Sequence, residues 1–506
     1  MRTALLRMVD NASLALFRIA FGALMLHHVY VEYAGYGGFQ QWFVDPAFHF
    51  TYYGFGWVRP VPEFVQHGFF FAQGLACMGI MLGLAYRISA SVNFLVVTYY
   101  FLLEKSLFLN HAYLICLISF LIILLPLHRR WSLDARLRPA LGADSCQTWV
   151  LWLLRFQVGV VYFYGGIAKL NWDWLHGEPM RTYLADWAER PVIGALATGE
   201  PAVWFFSGGG LLLDLLVVPA LLWQRTRVPA FLAAATFHLS NAYLFHIAIF
   251  PWFMLAATLL FFPPNWPTAL WARLRNRPLV PTVQGVGTLS PIVGVFLAVW
   301  ISAQALVPFR HFLYPGNPSW TEEGHNFAWR MMLRHKAVEP RFVWYTVTNN
   351  ANGEVDYIDP HDRLPRDEAA TLYTNPQAMQ RMASELIAEY RAKGITNITV
   401  QAEVRLIQFS ITNPATGATR HANLPDYVAS WQVDTLCLDP DLILQLAHEI
   451  TRREAAEGRT VQVRVEVWAS LHGRPYRPLV DSTVDLAAQR RNLWPKPWIA
   501  PMGAAS

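Results

Sequence analysis

The chain has 506 residues, of which 54% are hydrophobic and 14% aromatic but only 15% charged. With a mean hydropathy of +0.26, that balance excludes an ordinary soluble protein and points to a polytopic membrane protein. The net charge of +5 is no nucleic-acid signature, because Arg and Lys recur in short loops between apolar segments, where they encode topology.

The N-terminus shows no cleavable signal pattern, so the first apolar segment is expected to act as an uncleaved anchor. Apolar segments long enough, or nearly so, to cross the hydrocarbon lie at 12–30, 64–86, 88–104, 107–126, 148–169, 203–223, 228–245, 247–263 and 288–307, which predicts about eight or nine transmembrane helices. Arg2 and Arg7, Arg87, the run 128–131, Arg225 with Arg227, and the run 273–277 fall on one side if the N-terminus is cytoplasmic. An odd number of spans and an outside C-terminus follow. Cys77, Cys116, Cys146 and Cys437 form no CxxC or Cys/His cluster, so neither a metal nor a disulfide framework is expected.

Near residue 315 the character changes. Residues 1–314 are expected to form the helical membrane domain, and 315–506 an extracytoplasmic, β-rich domain with at least one helix. Phe342 to Thr348 and Glu354 to Ile358, around the turn Asn349 to Gly353, read as a hairpin. Asn375-Pro376 is a helix start, with Met379, Met382, Leu386 and Tyr390 on one face and Gly394 as the stop. Residues 460–467 alternate strictly, as in a strand with one buried face. No internal repeat is visible.

Polar residues in the membrane half are costly and often mark a site. The fifth segment ends Val161-Tyr-Phe-Tyr-Gly-Gly-Ile-Ala-Lys169, followed by Trp172 and Trp174. A lysine held there in low dielectric is a candidate general base; the plainer reading is a lysine snorkelling to the interface beside the tryptophans. Asn110-His111 lies at the outer turn between the third and fourth segments, and His238 with Asn241 toward the outer end of the seventh. The three sites share one expected level, although His111 alone reads as an interfacial cap and His238 alone as a core histidine. Asp214, after the run Gly208-Gly-Gly210, needs a partner, for which Arg155 or a histidine is the expectation. No Gly-x-Ser-x-Gly, His-Glu-x-x-His or P-loop occurs.

At these residues the sequence resembles the vitamin K-dependent γ-glutamyl carboxylase family and the bacterial relatives that share its membrane domain. The landmarks are Ala12 to Arg18 with Phe21-Gly22, Met81 to Ser89, Asn110 to Leu114, Tyr162 to Trp174, Gly208 to Asp214, Phe237 to Asn241 and Trp320 to Met332, with weaker ones at Ala429 to Gln432, Pro478 to Asp481 and Val484 to Leu486. The resemblance implies γ-carboxylation of glutamate in a protein or peptide substrate, with O2 and CO2 as co-substrates. It is driven by reduced vitamin K or menaquinone, a naphthohydroquinone that leaves as its epoxide. Lys169 matches the base that deprotonates the quinol. His111 matches a residue assisting carboxylation, and Asn110 one that orients its neighbours. Trp329, Met331 and Met332 match positions near the quinone, while His238 and His325 are further cofactor-side candidates. His325 stands where animal members carry a tyrosine and Ala168 where they carry a second lysine, and the chain is shorter at its C-terminal end. A member in the bacterial inner membrane is therefore expected. Two other readings are a quinol epoxidase that no longer carboxylates and a non-catalytic transporter or scaffold.

Overall fold

The computed structural model describes residues 5–31, 38–185, 194, 199–245, 247–279, 285–365, 368–369 and 372–503; Arg2, one of the basic topology signals, lies outside them. Two compact units emerge. The first comprises Met1–Asp45, Gly54–Leu313 and Gly324–Leu333; the second comprises Pro46–Tyr53, Tyr314–Glu323 and Arg334–Ser506.

The first unit is a bundle of helices: α1 (Ala12–Tyr30), α2 (Glu63–Leu82), α3 (Tyr86–Leu103), α4 (Asn110–Leu124), α5 (Thr148–Lys169), α6 (Glu200–Leu222), α7 (Arg227–Phe245), α8 (Phe250–Thr258) and α9 (Pro291–Leu306). Among the described residues six helices are long and apolar enough to cross a membrane, namely α1, α2, α3, α5, α6 and the stretch Pro291–Leu313 that begins with α9. The other expected spans do form helices. Asn110–Leu124 and Phe250–Phe261 are apolar but shorter, and α7 carries Arg227, His238 and Asn241. The chain is thus a polytopic α-helical membrane protein with a C-terminal β-rich region.

Two polar side chains in this unit satisfy helix ends. Arg18 of α1 is wholly buried, and its guanidinium donates to the carbonyls of Ile80 (2.6 Å), Met81 (2.7 Å) and Trp131 (2.7 Å). It thereby satisfies orphan acceptors where α2 ends. Asp134 accepts from the backbone N–H groups of Ala85 and Tyr86, both at 2.9 Å, at the start of α3. The landmarks Ala12 to Arg18 and Met81 to Ser89 therefore describe one interlocked corner. Around it Leu14, Phe17, Phe21, Met25, Ile80, Leu121, Leu154, Val158, Phe253 and Met254 form a continuous apolar core.

A short ribbon pairs β1 (Met8–Asp10) antiparallel with β2 (Ser145–Gln147). In the second unit, β4 (Phe342–Asn349) is the centre of a three-stranded antiparallel sheet, flanked by β5 (Glu354–Ile358) and β6 (Ile398–Arg405). The hairpin lies where the turn chemistry put it, with Asn349 opposite Glu354. Helix α10 (Pro376–Ala392) is capped by Asn375, whose side chain accepts from the Ala378 N–H at 3.0 Å. It buries Met382, Leu386 and Tyr390 against Val343, Tyr345 and Val347. A second sheet joins β3 (Lys336–Val338), β7 (Ile407–Thr412), β8 (Thr419–His421), β9 (Gln462–Leu471) and β10 (Arg477–Pro478). Alternating Val463, Val465 and Val467 of β9 point inward, into a core shared with Leu442, Ile443, Leu446 and Ile450 of α11 (Pro440–Ala456).

Candidate active site

Lys169 does not snorkel. It is the last residue of α5 and is 5% exposed. Its Nζ donates to Asp214 Oδ2 at 2.5 Å and lies 3.4 Å from the Gly165 carbonyl oxygen and 5.1 Å from the Trp174 ring centroid. Asp214 is equally buried. The expected partner of Asp214 is thus corrected: Arg155 donates instead to the carbonyls of Leu260 (2.8 Å) and Phe262 (3.0 Å), and Lys169 takes its place. Fourteen residues separate Arg155 from Lys169 on one helix, about 20 Å of helix rise, so no side chain at Asp214 could serve both.

Two glycines bring the helices close enough for this pair. A Cβ on Gly166 would meet the Leu215 side chain at 2.6 Å, and one on Gly165 would meet Asp214 Oδ2 at 3.0 Å and Met331 Cε at 3.2 Å. Opposite them, Gly210 faces Lys169 and Trp174, and the Trp174 indole donates to the Ser207 carbonyl at 3.0 Å. The motif ending in Lys169 and the glycine run before Asp214 are therefore two halves of one contact.

The segment that supplies Met331 has a constrained backbone. Phe327, Trp329 and Met332 all have positive φ, at 64°, 55° and 55°, where side chains other than glycine's cost free energy. Packing and hydrogen bonds hold the segment there. Trp329 is fully buried with its ring 5.1 Å from that of Tyr113, and the Asn110 side-chain amide donates to the Arg330 carbonyl at 3.2 Å. The turn Asn110-His111 and the 329–332 segment are thus tied together. His325 is buried beside Gly324, whose own Cβ would collide with the His311 backbone at 2.5 Å.

His111 stacks on Phe250 with centroids 5.8 Å apart, and His238 meets Phe250 edge to face at 6.0 Å. His238 Nε2 also hydrogen-bonds the Tyr162 hydroxyl at 2.6 Å. Tyr162 precedes Lys169 by two turns, about 10 Å of helix rise, so His238 bonds to a deeper level of α5 than its expected alignment with Lys169 implied. Four buried polar atoms here have no hydrogen-bond partner among the described residues: Trp329 Nε1, Asn110 Oδ1, His238 Nδ1 and Ser207 Oγ.

The HTTM domain matches residues 6–266, more than half the chain and the stretch that carries Asn110, His111, Lys169, Asp214 and His238. The lumenal domain of vitamin K-dependent gamma-carboxylase matches 289–406 and 400–505, including Trp329 to Met332. The chain belongs to the vitamin K-dependent γ-carboxylase family. No solved structure matches it.

Membership in the γ-carboxylase family carries a carboxylase-like function linked to vitamin K, and a glutamate-containing substrate as the kind of partner. Of the residues singled out from the sequence, the fold brings Lys169 and Met331 to the same glycine, Gly165, ties Asn110 to the backbone next to Trp329, and sets His111 and His238 around Phe250. Asp214 is the important residue whose role sequence reasoning missed. The signal was present in two glycine-rich stretches with a charge beside each, but nothing in the sequence fixes the relative depth of two helices. Tyr162 carried no signal beyond its place in an apolar run and at the edge of a family landmark.

Proposed function

We propose that this chain is a quinol-driven γ-glutamyl carboxylase, with reduced vitamin K or menaquinone, O2 and CO2 converting glutamate side chains of a protein substrate, and with quinone epoxidation coupled to it. One observation carries the reading: a lysine at the family's base position is buried against a carboxylate instead of reaching water. A snorkelling or topology lysine has no need of such a partner. The unpaired Trp329 N–H and Asn110 carbonyl oxygen fit a flat apolar ring with oxygen substituents, since a buried polar group left unpaired costs about 1–3 kcal/mol and such oxygens can donate or accept. When bound, the quinol supplies the reducing electrons and, on reaction with O2, the base strong enough to take the γ-proton of glutamate.

In this reading Lys169 takes the quinol proton at Nζ once that nitrogen has given up its own, and Asp214, its ion-pair partner in the protonated state, holds the nitrogen in place and stabilises the charge it regains. Trp329 and Met331 offer an aromatic face and a pliable thioether to the ring, and Met332 and His325 flank them in sequence. His111 assists the carboxylation half, Asn110 orients the 329–332 segment, and His238 with Tyr162 forms the deeper polar end. The C-terminal β-rich domain lies outside the cytoplasm of a bacterial inner membrane.

The test uses purified protein in nanodiscs with reduced menaquinone or vitamin K, O2, labelled bicarbonate and a Glu-rich peptide, following epoxide and fixed label together. Both products should form and both should vanish in Lys169→Ala, while His111→Ala should lose label more than epoxide. Epoxide without label from any peptide would favour an epoxidase. Neither product from folded protein would overturn an enzymatic role.

A further inference from the structure

We propose that Asp359, His361 and His421 of the second unit form a binding site for one zinc-class divalent transition metal ion, apart from the membrane site. The three come from two places. Asp359 and His361 sit at the turn that follows β5, and His421 ends β8, 62 residues further along the chain. Their ligand atoms lie within 4.8 Å of one another. Asp359 is almost fully buried, and its two oxygens face different rings: Oδ1 is 3.0 Å from His361 Nδ1 and Oδ2 is 2.5 Å from His421 Nδ1. The two imidazoles meet nearly edge to face, with centroids 4.9 Å apart and planes at 73°.

Two imidazoles and one carboxylate are the donor set of an open zinc site, in which three protein ligands leave the fourth position to water. Mg2+ and Ca2+ prefer oxygen cages, so the two nitrogens argue against them. Bonds of about 2.1 Å in a tetrahedron set ligands roughly 3.4 Å apart. The histidines, 19% and 14% exposed, have room to turn onto the ion and to admit water. Arg405, a cation on which the Asp359 charge also acts, makes its direct contacts elsewhere: it stacks over Trp344 at 4.0 Å and donates to Asn423 at 3.0 Å. The backbone N–H of His361 also donates to Asp359 Oδ1 at 2.9 Å, which fixes the carboxylate as an outer partner fixes a ligand. An ion here would cross-link the end of the three-stranded sheet to the edge strand of the five-stranded one.

The experiment takes the full-length, tag-free protein in detergent, strips it with chelator and titrates Zn2+ against a chromophoric competitor. One zinc per chain is expected, with affinity lower by at least about tenfold in His361→Ala and in His421→Ala. Should those variants fail to fold, Co2+ added to the wild type decides. Visible absorption of the intensity given by four- or five-coordinate cobalt supports the site. The spectrum of the hexa-aquo ion, or equal zinc binding by wild type and a folded His361→Ala/His421→Ala double variant, overturns it.

Discussion

Replacing Lys169 with Met removes an ammonium and leaves the Asp214 carboxylate buried with no counter-charge. At a separation of 2.5 Å the gross attraction is about 7 kcal/mol for an effective dielectric of about 20. Desolvation of the two ions, several kcal/mol each, offsets most of it, so the pair adds little net stability. Breaking it by one substitution costs about 3–5 kcal/mol, because the remaining charge stays desolvated. Lys169→Met and Asp214→Leu should each therefore destabilise the protein by that amount, and the Lys169→Met/Asp214→Leu double variant should recover most of it. Thermal unfolding in nanodiscs, followed by tryptophan fluorescence, reads the three variants against wild type. Each single variant should fall by on the order of 5 °C, since a unit larger than about 150–250 residues shifts by somewhat less than about 2–4 °C per kcal/mol. Quinol oxidation should be absent from all three, so stability and activity separate in the double variant. Additive losses in the double variant, or single variants within about 1 kcal/mol of wild type, would refute the buried-pair account.

Gly165→Ala tests the approach of the 329–332 segment. The new methyl would sit 3.0 Å from Asp214 Oδ2 and 3.2 Å from Met331 Cε, so we expect about 1–3 kcal/mol of destabilisation and a larger loss of quinol oxidation than the same change at Gly208, which faces open space; activity assays on the two variants check this. Acid should weaken the second unit through α11. Burial would raise the Glu449 carboxyl, but the hydrogen bonds from Arg452 and Arg453 win and hold it below its ordinary value; the hydrogen bond from Arg459, with help from Arg420, does the same for Glu454. Folded values below the unfolded ones mean stability that is present above the ordinary Glu value of about 4.3 and lost as pH falls through the folded values. Near-ultraviolet circular dichroism between pH 6 and 2 should show that loss, and Glu449→Gln or Glu454→Gln should flatten it.

Much of the architecture is legible because it rests on local chemistry. The hairpin of β4 and β5 follows from Asn349 to Gly353, α10 from Asn375-Pro376, and the buried face of β9 from strict alternation. The site is legible only in part. The lysine and the histidines stand out because charge is rare in apolar runs, whereas the partner of Asp214 depends on helix register, which periodicity does not encode. The histidine–carboxylate cluster is hidden for a related reason: Asp359-Pro-His361 is an ordinary turn in sequence, and His421 joins it only when two sheets are assembled. Cysteine spacing carries no trace of it.

The positive φ angles at Phe327, Trp329 and Met332 connect these scales. Each costs on the order of 1–3 kcal/mol, and a helix or strand over the same residues would cost nothing of the kind. What offsets the cost is visible: a fully buried indole against Tyr113, a side-chain hydrogen bond from Asn110 to the Arg330 carbonyl, and Leu333 set among Ala168, Trp174 and Val203. The product of that strain is also visible, since a regular strand would turn Trp329 and Met331 to one face, away from at least one of their two anchors. In the bent form Trp329 packs on Tyr113 and the Arg330 carbonyl meets Asn110, while Met331 reaches Gly165, one helical turn before Lys169. A chain that needed only to connect two elements would have no use for this conformation, which packs an aromatic ring on Tyr113 and brings a thioether to the helix that carries the buried Lys169.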